Sequence, residues 1–208
     1  MSAPDAQAIS DLTALEALFG GVGEASTRKE VSRLHPVYRR WIEASPFAVL
    51  ATSGAGGLDA SPRGDPASLV TILDEHTLLL PERRGNNRID SLRNLVEDPR
   101  VALLFFIPGI GETLRVNGRG RILVTPQLLQ DMAMDGIPPR CVIEIKVDTV
   151  YFQCARAMKR SNLWEPVNAE ALSGVPTAGA MLAALTEAEI DGAVYDRELP
   201  ARQKATLY

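Results

Sequence analysis

Between residues 45 and 153 the chain strings together short apolar runs separated by turn residues, and that rhythm decides its architecture. The runs are SPFAVLATS, SLVTIL, TLLLP, RVALLFFIPG, ETLRVNGRGRILV and CVIEIKVDTVYFQ, each rich in Val, Ile, Leu or Phe. Side chains of these types suit a pleated, half-buried surface, so such runs bounded by Gly, Pro, Asn or Asp read as strands. GAGG after the first run is a turn signal, and LDASPRGDP is a further strand broken by two prolines. A single helical pattern interrupts the series, with Ile89, Leu92, Leu95 and Val96 on one face of ERRGNNRIDSLRNLVEDP. Six or seven strands around one helix predict a mainly β fold, a closed or nearly closed antiparallel barrel with flanking helices. Helices do not alternate with the strands, which argues against a doubly wound parallel sheet.

The flanks change character. Ile9, Leu12, Leu15, Leu18 and Phe19 recur at helical spacing, with Ser10 or Asp11 as cap and Gly20, Gly21 and Gly23 as the stop. Val31, Leu34, Val37, Tyr38, Trp41 and Ile42 form a second helical face, in which Pro36 marks a kink or a fresh start. These helices are expected to pack outside the main body. Beyond Gln153, ARAMKRSNLWEP and TAGAMLAALTEA read as helices, and the last twenty residues as a polar peripheral tail. The organisation expected is a helical extension over 1–44, a barrel domain over 45–166 and a helical extension over 167–208.

Composition narrows the function. A chain of 208 residues with 46% hydrophobic and 23% charged residues has enough apolar material for one substantial core. A net charge of −4 and 5% aromatics argue against a dedicated nucleic-acid binder, which needs basic surface and stacking platforms. Two cysteines, Cys141 and Cys154, and two histidines, His35 and His76, show no metal-ligand spacing, so no metal site is expected. No run approaches the ~20 apolar residues that span a bilayer, and MSAPDAQAISDLTALEALFG lacks a basic leader region. The expectation is a cytoplasmic protein with no membrane partner.

Four tracts carry polar chemistry. RRGNNRIDSLRN, residues 83 to 94, follows a strand and opens a helix. Arg83, Arg84 and Arg88 bring charge, Gly85 relieves steric constraint, Asn86 or Asn87 caps, and Ser91 falls one turn beyond Arg88. Guanidinium forks beside backbone N–H groups at a helix start make a phosphate seat, although a solvated basic helix start has the same sequence. In DASPRGDPASL the prolines bracket Arg63-Gly64-Asp65, which implies an edge strand or bulge where a flat ligand can approach, or only an irregular hairpin with an Arg–Asp pair. In KRSNLWEP, Lys159, Ser161 and Trp164 form either an aromatic and polar wall or a staple holding the following helix. LRVNGRGRI places Arg115, Asn117, Arg119 and Arg121 on one strand face, which fits a ligand face, a partner surface or the wet side of a sheet. No catalytic triad, Walker A sequence or dinucleotide fingerprint is present, so no side chain is named as catalytic. Any redox chemistry would be borrowed from a cofactor.

Taken in order, SPFAVLAT, ASPRGDP, LLLPERRGNNRIDSLRNLVEDPRVALLF and GETLRVNGRGRI, followed by FQCARAMKRSNLWEP, resemble the pyridoxamine 5′-phosphate oxidase-related FMN-binding split β-barrels. The resemblance covers roughly residues 30 to 166. It implies a six-stranded antiparallel Greek-key split barrel, a homodimer with FMN at the subunit interface, and oxidoreductase activity on a small molecule. By the same resemblance Ser61, Pro62, Arg63 and Gly64 run along the isoalloxazine ring, and Arg84, Asn87, Arg88 and Ser91 take the phosphate. Lys159, Ser161 and Trp164 would reach the flavin held mainly by the other subunit. Many relatives carry a Lys close to where Ser91 stands, which shifts phosphate contacts onto Arg88 and its neighbours. The Arg-x-His pattern of true pyridoxamine phosphate oxidases is absent, so vitamin B6 phosphate is not the expected substrate. Two rivals stand beside this reading: a noncatalytic flavin- or haem-binding carrier or sensor on the same fold, and an anion- or nucleic-acid-binding module using Arg83, Arg84, Arg88 and Arg93.

Overall fold

The computed structural model describes residues 8–208; the opening heptapeptide read above for its lack of a basic leader lies outside them. Seven strands are present: β1 (Phe47–Gly54), β2 (Gly57–Gly64), β3 (Thr71–Asp74), β4 (Thr77–Glu82), β5 (Arg100–Phe106), β6 (Thr113–Leu123) and β7 (Cys141–Gln153). They form one antiparallel sheet in the order β2-β1-β5-β6-β7-β4-β3. Seven agrees with the six or seven that the apolar runs predict and corrects the six that the resemblance implies. The four-residue β3, within the run SLVTIL, is a short hairpin arm on β4. No ladder joins β2 to β3 among the described residues, so backbone hydrogen bonds do not close the sheet into a barrel.

Alternation sets the core. Ala48, Leu50 and Thr52 of β1 and Val101, Leu103 and Phe105 of β5 all point inward and are buried. They meet Leu78 and Leu80 of β4, Leu114 and Val116 of β6, and Ile143 and Ile145 of β7. Each Val, Leu, Ile or Phe side chain among them, withdrawn from water, contributes about 1.5–3 kcal/mol of burial free energy. β6 and β7 form the longest ladder, with a register shift between Asn117 and Gly118. Gly118 is required there: a Cβ at that position would lie 2.2 Å from the Lys146 carbonyl oxygen.

Helices plug and flank the sheet. α1 (Leu12–Phe19) is capped by Asp11 and stopped by Gly20 at φ 71°, as its sequence predicts. A short α2 (Glu24–Arg28) follows. α3 (Pro36–Glu43) begins afresh at Pro36, whose missing N–H is harmless at the first helical position. Contrary to the expectation of an outer helix, its segment joins the core through the fully buried Leu34 and Ile42, and Val31 bridges Val150. α4 (Asp90–Glu97) packs Leu95 against β1 and β6. α5 (Pro126–Asp131) and α6 (Arg156–Ser161) flank β7 in the sequence. After a 3₁₀ turn come α7 (Ala178–Leu185) and α8 (Gly192–Ala205), so the tail read as polar and peripheral is largely helical. α8 packs mainly on α7, where Gly179 and Gly192 bring the two backbones into contact. None of the described helices is long and apolar enough to cross a membrane.

Candidate functional site

The open flank of the sheet makes the site. β3 pairs only with Thr77–Leu79 of β4, which leaves the last residues of β4 without a neighbour on that side. β2 is the opposite edge, as its prolines predict. Side chains rather than backbone bridge the gap. Arg63 Nε of β2 donates to Glu82 Oε2 of β4 at 3.0 Å, and Arg83 Nε donates to Asp65 Oδ2 at 2.7 Å. Along this split lies a cleft of about 610 Å³, lined by residues of β2, the end of β4, the 83–89 loop and the start of α4. Its size falls within the ~300–1,000 Å³ usual for small-molecule sites.

On the β2 wall, the two-residue period turns Asp59, Ser61 and Arg63 inward. Ser91 of α4 meets them: its hydroxyl donates to Asp59 and lies 2.9 Å from Ser61 Oγ. Arg63 completes the group, with Nη1 donating to Ser61 Oγ at 2.9 Å. Burial pushes the Glu82 carboxyl above its ordinary pKa, and Arg63 only partly opposes the shift. Burial also raises the neighbouring Cys141 thiol, with Glu82 adding to the effect.

The opposite wall is the loop over 83–89, whose geometry departs from expectation. Gly85 has no positive φ and nothing near its missing side chain, so it relieves no constraint. The left-handed positions are Asn87 at φ 59° and Ile89 at φ 55°. A β-branched residue is rare there, so Ile89 marks local strain. Ile89 also occupies the helix N-cap position, and neither Asn86 nor Asn87 caps α4; Asn86 instead accepts from the Arg88 N–H at 3.0 Å. Arg88 therefore precedes the helix and does not share a helical face with Ser91. It is 75% exposed and paired with Asp90 at 2.8 Å, which raises its pKa through that hydrogen bond.

Eight of the eleven residues singled out from sequence line this one cleft: Ser61, Pro62, Arg63, Gly64, Arg84, Asn87, Arg88 and Ser91. Lys159, Ser161 and Trp164 do not line it within the same chain. Trp164 Nε1 donates to the Ile110 carbonyl at 2.8 Å, so it staples the segment after α6 to the β5–β6 turn. Sequence reasoning missed Asp59, Glu82, Arg140, Leu207 and Tyr208, which also line the cleft. Asp59 was within reach, standing two residues before Ser61 on the same strand face. Tyr208 had no local signal at all. It arrives from beyond α8, its ring 5.9 Å from the Arg83 guanidinium, and burial with the Asp65 carboxylate raises its pKa.

The charge balance shows what the cleft can hold. Five guanidiniums (Arg63, Arg83, Arg84, Arg88 and Arg140) face four carboxylates (Asp59, Asp65, Glu82 and Asp90). Arg63, Arg83 and Arg88 are paired with Glu82, Asp65 and Asp90, and Asp59 is bound by two serines. Arg84 and Arg140 have no side-chain partner among the described residues. An anionic group thus fits on the Arg84–Arg88 side, away from Asp59. Ser91 is buried, and its hydroxyl already donates to Asp59.

The sequence model of the family described as Pyridoxamine 5′-phosphate oxidase matches residues 34–154, more than half of the chain. Among solved structures the chain is similar to a HupZ variant from Group A Streptococcus, at 18% identity over 58% of this chain and 99% of that one, with a TM-score of 0.47. A protein assigned as a pyridoxamine 5′-phosphate oxidase from Lactobacillus delbrueckii matches at 19% identity over 58% and 95%, with a TM-score of 0.46. An FMN-binding protein from Syntrophomonas wolfei matches at 11% identity over 57% and 90%, with a TM-score of 0.40. Likenesses this distant do not bear on what this chain binds. No curated protein matches the chain.

Proposed function

The chain belongs to the pyridoxamine 5′-phosphate oxidase family, and from that membership we propose that the cleft between β2 and β4 binds FMN noncovalently for an oxidoreductase acting on a small molecule. One observation carries the reading: a strained arginine-asparagine loop and an edge strand with inward polar side chains enclose a single cleft of suitable volume. Arg84, Asn87 and Arg88 would hold the phosphate. The β2 edge, with Ser61 and Arg63 inward and the backbone of Pro62 and Gly64 beside them, would support the ring. FMN, when bound, supplies the electron-transfer chemistry. This chain's residues orient it and keep water from one side, and Glu82 fixes the Arg63 guanidinium by its Nε.

The proposed assembly is a homodimer with FMN at the interface, to which the partner would add Lys159, Ser161 and Trp164. Support comes from the outer sheet face. Phe47, Val49 and Ala51 of β1 stand directly opposite Phe106, Leu104 and Ala102 of β5, and none is buried. An antiparallel sheet normally turns polar residues to water, so an apolar outer face fits a covered one. Trp164, bonded to Ile110 of its own chain, is 38% exposed and keeps ring surface for a partner to cover.

A second reading, a noncatalytic flavin carrier or sensor, draws on the fact that every carboxylate in the cleft is already engaged. Its haem version is disfavoured because, among the described residues, no histidine lines the cleft. Spectroscopy separates them. FMN-loaded protein should be yellow, bleach with NADPH or NADH under anaerobic conditions and recolour in air. Flavin that no donor reduces would leave the carrier, and a Soret band on haem addition would favour haem.

A further inference from the structure

A second cavity, of about 350 Å³, opens off the cleft where Arg84, Arg140 and Tyr208 line both. We propose that it is a binding pocket for small aromatic acids, aryl carboxylates or aryl phosphates, in which Arg140 selects the anion. The substrate role of such acids rests on the FMN reading above; their binding does not.

One wall is apolar and rigid, built from Ile137, Pro138 and Pro139 between α5 and β7. The Tyr208 ring forms another, and flat rigid walls suit a planar body. Three arginines supply the polar end, but not equally. Arg83 is spent on Asp65 and on the Met132 carbonyl, each at 2.7 Å. Arg84 and Arg140 carry unneutralised charge, and no carboxylate side chain lines this cavity. In a chain whose net charge is −4, a pocket with no Asp or Glu in its wall, and two guanidiniums that have no side-chain partner among the described residues, is a local excess of positive charge that draws in anions even with Asp65 and Asp135 near Tyr208. The guanidinium fork matches a carboxylate or phosphate in two parallel hydrogen bonds, so arginine also fixes orientation. Arg140 is held in place by its backbone, whose N–H donates to the Glu82 carbonyl at 3.2 Å, just before β7 begins. An acid anchored there directs its ring back toward the cleft in which the flavin is proposed to lie.

Calorimetric titration of benzoate, phenyl phosphate and neutral benzamide into flavin-free and FMN-loaded protein tests the pocket. Both anions should bind, benzamide should not, and Arg140→Gln should weaken the anions about tenfold or more. Arg140→Lys, which keeps the charge but loses the fork, should bind them with intermediate strength and guards against misfolding of the first variant. Arg140 also lines the main cleft, so FMN affinity is measured beside anion affinity in both variants, and the titrations of flavin-free protein report on the pocket alone. Failure of both anions to bind, equal binding of benzamide, or undiminished binding by Arg140→Gln would overturn the pocket. Binding that depends on Arg140 in a protein that takes no FMN would leave the pocket standing and remove the FMN reading instead.

Discussion

The two flanks of the sheet are built by different rules. From β1 through β5, β6 and β7 the backbone ladder is continuous, inward side chains are apolar, and alternation along each strand decides what is buried. Between β2 and β4 the ladder is missing, and ion pairs from residues 63, 65, 82 and 83 hold the gap. The first flank gains its stability from area removed from water. The second holds desolvated charges whose net contribution is small, and it keeps unpaired strand edges beside a strained loop. Stability is concentrated on one side and chemistry on the other.

Breaking the continuous flank should have the largest effect. Leu103→Ala removes a fully buried side chain at the centre of β5 and should cost about 2–5 kcal/mol in chemical denaturation. A loss below about 1 kcal/mol would show that this flank is not the structural centre.

Glycines sharpen the contrast next. Gly118→Ala drives a Cβ against the Lys146 carbonyl and should destabilise by about 1–3 kcal/mol. Gly64→Ala, on the open flank, meets the Phe47 ring at 3.6 Å and the Pro46 carbonyl oxygen at 3.8 Å, both ordinary contacts, and should change stability by less than about 0.5 kcal/mol. Equal losses in the two variants would erase the distinction between ladder and cleft.

Arg63→Ala should cost about 1–3 kcal/mol at neutral pH, because Arg63 and Glu82 are only 14% and 21% exposed and the carboxylate would be left without its partner. The sign of the pH dependence follows. The folded-state pKa of Glu82 is already raised by burial, and removing the guanidinium raises it further. A carboxyl with a raised folded pKa keeps its proton longer in the folded state, so stability falls as pH rises from its unfolded value through the folded one. Arg63→Ala should therefore lose more stability than the parent as pH rises above the ordinary carboxyl value of 4.5 in urea melts. A parallel pH profile would contradict the pairing.

The smallest effect lies far from the cleft. Arg100 holds the Asp98 carboxyl at a pKa of about 2, against its ordinary 3.8. That contribution is complete above the ordinary value and is lost as pH falls through about 2. Asp98→Asn should flatten the stability profile between pH 4 and 2 while leaving flavin binding unchanged; an unaltered acid limb would remove the assignment.

What could be read from the sequence follows the same division. Alternating apolar runs announced β1, β5, β6 and β7 because burial imposes a period of two on them, and Pro62 announced an edge. Pro36 marked the start of α3 for an equally local reason. The run SLVTIL announced β3, but not that only Thr71–Asp74 of it would pair, through three residue pairs with β4. α8 fell inside the expected helical extension but had no periodic signal of its own, because its residues show no apolar stripe; two glycines let it touch α7. In the cleft, residue types were legible but pairings were not. Glu82 beside two arginines, and Asp59 beside Ser61, gain their meaning from partners 19 and 32 positions away. The left-handed turn at Ile89, which pulls Arg88 off the helix, runs against local preference and is imposed by its surroundings.

The central claim is that the loop over 83–89 holds a phosphate. Titration of flavin-free protein with FMN and with riboflavin, followed by flavin fluorescence, tests it directly, because the two ligands differ only in that group. The account predicts one FMN per chain, bound about tenfold or more tighter than riboflavin, with that preference reduced about fivefold in Arg88→Ala, whose exposure limits its share. Equal affinity for the two flavins, or a preference untouched by Arg84→Ala and Arg88→Ala together, would contradict it.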